Sequence, residues 1–126
     1  MTTSTAYSSN LIIATIGSNN KLLWEVPIEK KHSKDEWFHH HSYFADLKNN
    51  KTRIFYNNSS NKDFPKGTLI STISSQGKIK TELMFSKGKD KILSCPTFCK
   101  KIDEGKYLIY GRNWLKNKLG ILVLNN

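Results

Sequence analysis

Lys106, Tyr110 and Arg112 share one parity along a β-rich run, so on an extended strand all three project to the same side. Cations beside an aromatic ring on one sheet face suit single-stranded nucleic acid, because phosphates are drawn to Lys and Arg while bases stack on the ring. Lys78 and Lys80, in an earlier run, are expected to add to that face, and Trp114 is a second stacking candidate. The competing arrangement seats Tyr110 in the core beside Leu108 and turns Tyr107 and Ile109 outward, since alternation alone does not separate inside from outside.

Other reactive side chains point elsewhere. His39, His40 and His41 are consecutive, and on a helix they diverge by about 100° each, so they do not converge on one ion. His41 alone lies on an apolar stripe, with His32 and Asp35 nearby, and a solvated or capping role is expected. Cys95 and Cys99 form a C-x-x-x-C spacing with no second pair to complete a tetrahedral zinc site. Bridged, they would close a tight loop around Pro96; in a reducing compartment they would be half-buried thiols. The ten acids are scattered without a carboxylate pair or a nucleophile and base motif, so neither enzyme, metal nor cofactor is expected.

Charge sharpens the expectation. The 126 residues carry a net charge of +10, and it is divided unevenly. Residues 1–47 hold four lysines against five acids, whereas 48–126 hold sixteen Lys and Arg against five acids. Neutralising phosphates with such a half releases condensed counterions and favours association at low salt. A soluble surface rich in Lys and Asn would have the same composition, since charge speaks to partners and not to fold.

The elements that must position these residues divide at about residue 65. A hairpin is expected from 11–17 and 21–26 around Gly17-Ser18-Asn19-Asn20, ended by Pro27. Ser33 precedes Glu36 at a capping-box spacing, and Trp37, His41, Phe44 and Leu47 have helical periodicity, so residues 34–48 read as a helix. Trp37, Phe44 and Leu47 then form a face for the core or a partner. Residues 52–56 read as extended and 57–66 as a surface loop.

From Gly67 onward, turns recur at short intervals between β-rich runs at 68–75, 78–85, 91–95, 106–110 and 119–124, with a connector at 96–104. In the second run Ile79, Thr81, Leu83 and Phe85 share one face, and Lys78, Lys80, Glu82 and Met84 the other. Five strands with an irregular connector between the third and fourth match the inventory of an OB-fold barrel. The amino terminus lacks a basic n-region, and the apolar run 11–16 is too short for a signal h-region or a span, so a soluble intracellular chain without a membrane partner is expected. Asn50, Asn57 and Asn58 head sequons that matter only in a secreted chain.

The passage Cys95-Pro-Thr-Phe-Cys99, followed by Glu104-Gly-Lys-Tyr-Leu-Ile-Tyr-Gly111 and Arg112, resembles the third-to-fourth strand region of OB-like domains. It looks like the Tyr-Leu-Ile-x-Gly strand of netrin-like modules, and is similar to the corresponding strand of small OB subunits in the telomere-capping CST complex and the replication protein A trimer. The pattern covers residues 67–124, with identities confined to about ten positions. Netrin-like modules carry more cysteines, one of them near the start, than this chain offers.

The expected fold is one domain, 1–126, mainly β with one helix. A hairpin and helix (1–64) precede an OB-like five-stranded barrel (65–126). The function implied is a noncatalytic subunit that binds single-stranded nucleic acid beside a larger protein, in the nucleus and, as the resemblance suggests, in telomere maintenance. Lys78, Lys80, Lys106, Tyr110, Arg112 and Trp114 would form its binding face. The alternatives are a netrin-like protein-interaction module, secreted or intracellular, and a carbohydrate-binding β protein using aromatic platforms with Asn and Asp partners.

Overall fold

The computed structural model of the chain describes residues 11–29, 42–48, 51–58, 63–86, 92–113 and 115–124. Apolar and β-branched residues at alternate positions make the opening hairpin, β1 (Leu11–Ile16) against β2 (Leu22–Ile28). Its turn closes through the Gly17 N–H on the Lys21 carbonyl (2.9 Å), with Asn20 in the left-handed region at φ 62°. Strand β2 runs through Pro27 instead of ending there. Proline is compatible with an edge strand, where its missing N–H removes no ladder bond.

The expected helix is not seen where the described residues overlap it. Tyr43–Lys48 is strand β3, paired antiparallel with β4 (Lys51–Asn58) from Tyr43↔Tyr56 to Lys48↔Lys51. The remainder of that expectation, Trp37 and the histidines 39–41 included, lies outside the described residues. A spacing of three shares a helix face but opposes faces on a strand, so Phe44 and Leu47 part company. Phe44 turns to the interior and Leu47 is 76% exposed. Strand β4 also extends through Asn57 and Asn58, expected in a loop; both side chains are buried in the ladder.

Strands β5 (Gly67–Ser74) and β6 (Ile79–Ser86) complete a sheet of order β3-β4-β5-β6. A register shift between Thr68 and Leu69 pairs Phe85 with Thr68 and Leu83 with Leu69, which breaks the expected alternation and lets Met84 pack inward. The second sheet centres on β9 (Lys106–Arg112), with β10 (Asn117–Val123) along one edge and β7 (Leu93–Ser94) and β8 (Lys100–Asp103) in succession along the other. A 3-10 turn at Pro96–Phe98 interrupts that second edge, so the expected connector is half strand. Among the described residues two open sheets and a hairpin stand where a closed OB barrel is expected, and the mainly-β class stands. Among the described residues no helix is long and apolar enough to cross a membrane.

Three layers result. On one face of the β4–β5 ladder, Ile54, Tyr56, Leu69 and Ile73 pack with Val26 and Ile28 of the hairpin. On the other, Phe55 and Ile70 pack with Tyr107 of the second sheet. Trp24 pins the hairpin by donating from Nε1 to the Ser75 carbonyl (2.8 Å), and its ring lies over Gly77, where φ is +82° and a Cβ would stand 2.8 Å from the indole. Gly120 on β10 has no atom within 4 Å of its would-be Cβ. Gly77→Ala should therefore cost more than about 1 kcal/mol, from left-handed strain plus the indole clash. Gly120→Ala should be neutral or stabilising by about 0.5–1 kcal/mol. Chemical denaturation of the two variants checks the contrast.

Candidate nucleic-acid interface

Alternation along β9 is resolved by burial. Tyr107 is fully buried and Ile109 follows it inward, so Lys106, Leu108, Tyr110 and Arg112 project from the outer face of the second sheet. Across the ladder β10 sets Val123, Ile121, Leu119 and Asn117 opposite these four, while β8 sets Lys100 opposite Leu108 and Asp103 opposite Lys106. The Tyr110 hydroxyl donates to Asn117 Oδ1 (2.8 Å). Its ring meets Phe98 edge-on, with centroids 5.8 Å apart and planes at 88°. Phe98 is 45% exposed, so the pair presents a usable aromatic surface among Lys100, Lys106 and Arg112.

The remaining expected residues are not brought to this face. Lys78 follows the β5–β6 turn, and Lys80 lies on β6 in the other sheet, ion-paired to Glu82 at 3.0 Å. Trp114 is outside the described residues, as is Trp37. Of the expected partner face, Phe44 packs into the core and Leu47 is exposed on the opposite side of β3 with Tyr43. Phe98 and Lys100 were not singled out from the sequence, because the segment reads as a connector. The pertinent signal is Pro96, which breaks an edge strand by lacking an N–H and throws Phe98 outward in the turn.

A buried polar cluster sets the pitch of β9 beneath this face. The Tyr107 hydroxyl donates to Asp46 Oδ2 and accepts from Arg53 Nη1 (3.3 Å). Lys101 Nζ reaches Asp46 Oδ1 at 3.1 Å and Glu104 at 3.2 Å. Burial pushes the Asp46 carboxyl up, but the Tyr107 hydroxyl, Lys101 and Arg53 outweigh it and hold the group below the ordinary value of 3.8. Burial, followed by the neighbouring carboxylate, pushes the Tyr107 phenol up, which keeps the proton on tyrosine. Cys95 and Cys99 are buried and not bridged to each other, and burial with the adjacent thiol pushes Cys95 to about 11, so it stays protonated and a poor nucleophile at neutral pH. Among the described residues no three His, Cys, Asp or Glu side chains gather as a metal would require.

Because the folded Asp46 carboxyl titrates lower than the unfolded one, its stabilisation is complete above the unfolded value and is lost as pH falls through the folded value. The denaturation midpoint should therefore drop as pH is lowered from about 4. Asp46→Asn should flatten that acid limb while costing about 1–3 kcal/mol at neutral pH, because the Tyr107 hydroxyl and Lys101 lose a charged partner. Urea titrations of both proteins across the acid range measure this. In comparisons with protein-family models, curated proteins and solved structures, nothing matches the chain.

Proposed function

We propose that the chain is a noncatalytic module that binds single-stranded nucleic acid on the outer face of β8, β9 and the Phe98 turn, working beside a larger protein. The supporting observation is the pairing of an exposed Phe98 with a half-buried Tyr110 on the face that also carries Lys100, Lys106 and Arg112. Successive bases stack on the two rings, and the cations take the flanking phosphates. Asp103, opposite Lys106, limits the charge at one end of the track. Lys78 and Lys80, on the other sheet, contribute only to the long-range positive field.

A protein-contact role has its own support in β10. Leu119 and Ile121 are each 65% exposed and Val123 57%, and among the described residues this strand pairs only with β9. A free edge with apolar side chains accepts an added strand, and this is where the larger partner is placed.

Fluorescence anisotropy with labelled homopolymeric DNA and RNA of about 15 nucleotides tests the reading. Affinity should fall steeply from about 50 to about 200 mM salt, and Lys106→Glu with Arg112→Glu should abolish it. Tyr110→Ala should cost about 1–3 kcal/mol without changing the salt slope. Absent or salt-independent binding removes the nucleic-acid reading and leaves the protein contact at β10.

A further inference from the structure

Strand β10 ends the second sheet, and one side of its backbone is turned away from β9. Two bonds just beyond the strand fix which groups face which way. The Leu124 N–H donates to the Gly105 carbonyl at 2.7 Å and the Asn113 N–H to the Lys116 carbonyl at 2.9 Å, so residues 116 and 124 occupy hydrogen-bonded positions of the β9–β10 ladder. The pairing runs without a register shift from Asn117↔Arg112 to Val123↔Lys106, and such positions recur at every second residue. Lys118, Gly120 and Leu122 therefore bond to β9, whereas the N–H and C=O groups of Asn117, Leu119, Ile121 and Val123 point to the outer edge. Among the described residues no strand pairs with that edge.

Sheet edges are usually blunted by proline, a bulge or several charges. Strand β10 has neither proline nor bulge, and Lys118 is its one charged residue. The side chains divide by the same parity. Leu119, Ile121 and Val123 are exposed on the outer face, while Leu122 turns inward to the cluster of Phe55, Ile70 and Tyr107, which puts Lys118 and Gly120 on the inner side, both exposed. No atom lies within 4 Å of a Cβ built on Gly120, so the space beside it is open. Lys116 adds a second exposed cation of that parity, and neither lysine side chain is ion-paired among the described residues. Residues 105–126 hold four Lys and Arg and no acid.

We propose that this edge takes an extended acidic segment of the larger partner as an added antiparallel strand. Antiparallel addition is the more stable per residue, and it sets Lys118 and Gly120 at non-hydrogen-bonded positions, where facing residues come closest, about 4.5 Å between Cα atoms. Carboxylates of the segment face Lys118 and Lys116, an aromatic side chain covers Gly120, and β-branched residues meet Leu119 and Ile121. The assignment rests on the protein contact placed at β10 and names its chemistry; nucleic-acid binding beside Phe98 is not required for it.

The test is amide hydrogen exchange of the ¹⁵N-labelled full chain with a capped peptide, Thr-Ser-Val-Phe-Val-Glu-Thr-Glu, whose residues run opposite Val123 back to Lys116. Lys118, Gly120 and Leu122 should be protected in the chain alone, and saturating peptide should slow exchange at Leu119, Ile121 and Val123 by about tenfold or more. Replacing both glutamates of the peptide by lysine should weaken binding by about fivefold or more. Ile121→Pro removes an outward donor and no bond to β9, so it should abolish binding, whereas Ile121→Ala keeps the donor and should weaken binding by about fivefold at most. A peptide N-methylated at both valines should not bind, and carries the test should Ile121→Pro fail to fold. The proposal is overturned if the peptide protects none of the outer-edge amides, or if the N-methylated peptide binds as tightly. Equal binding by the lysine peptide overturns the acidic partner and leaves a protein contact at β10 standing. Oligonucleotide anisotropy on the same samples reads the other face, so loss of peptide binding with oligonucleotide binding intact counts against this proposal alone.

Discussion

Phe55 and Ile70 face one way from the β4–β5 ladder while Ile54, Tyr56, Leu69 and Ile73 face the other, and none of the six is more than 3% exposed. A ladder covered on both sides has to be roofed twice. Each of these side chains is worth about 1.5–3 kcal/mol when fully buried, so a layer that lifts off exposes a large stabilisation at once. The hairpin supplies one roof through Val26 and Ile28, and the second sheet supplies the other through Tyr107. The second roof carries the aromatic and cationic face on the side turned away from the β4–β5 ladder.

Polar groups fix how the second roof sits. Asn57 Nδ2 donates to the Ser94 carbonyl at 2.7 Å, and the Thr68 and Ser94 hydroxyls both approach Asn57 Oδ1, at 2.7 and 2.9 Å. The two hydroxyls are also 2.8 Å apart, and with two protons for three contacts one of those contacts is always without its hydrogen. At the far end Tyr107 meets Phe55 at 4.9 Å and Phe44 at 6.1 Å between ring centroids, with its hydroxyl on Asp46. Sliding the second sheet, β7 and β9 together, along β4 would break both ends, leaving buried donors unmatched. This fixes which residues of β9 point outward, and so places Lys106, Tyr110 and Arg112 together.

The β-rich character, the hairpin, the β5–β6 pair and the strands β9 and β10 were legible because turn residues such as Gly77 and Gly105, both at positive φ, punctuate runs of period two. The region 43–48 was not. Phe44 and Leu47 fit a helical stripe as well as they fit opposite faces of a strand, and six residues are too few for periodicity alone to decide. Pairing with β4 decided it, and pairing is a tertiary fact. Asn57 and Asn58 read as loop by composition, yet their burial follows from the two roofs above them, which no local pattern records. Barrel closure was inferred from strand count, but count does not specify the shear that closes a sheet, and here β3, β6 and β10 end their sheets. On the candidate face, parity was legible for Lys106, Tyr110 and Arg112. Phe98 was hidden because its exposure depends on a 3-10 turn cut into an edge strand.

The aliphatic strip on β10 divides the labour of that face. Leu119, Ile121 and Val123 offer no planar ring to a base and no donor to a phosphate, so a nucleic-acid strand gains only from β8, β9 and the Phe98 turn. Apolar side chains on a strand whose outer edge is unpaired among the described residues favour pairing with another chain, and Lys118 in the same strand disfavours a basic partner. Leu119, Ile121 and Val123 project from the same outer face as Tyr110 and Lys106, so in the proposed arrangement the protein pairs with the backbone edge of β10 and the nucleic acid keeps to the β9 side of that face. Because Tyr110 is tied to Asn117 across the β9–β10 pair, a protein that straightens β10 also steadies the ring on which a base would stack. In the proposed arrangement, partner binding and nucleic-acid affinity are then coupled through one hydrogen bond, in the same direction.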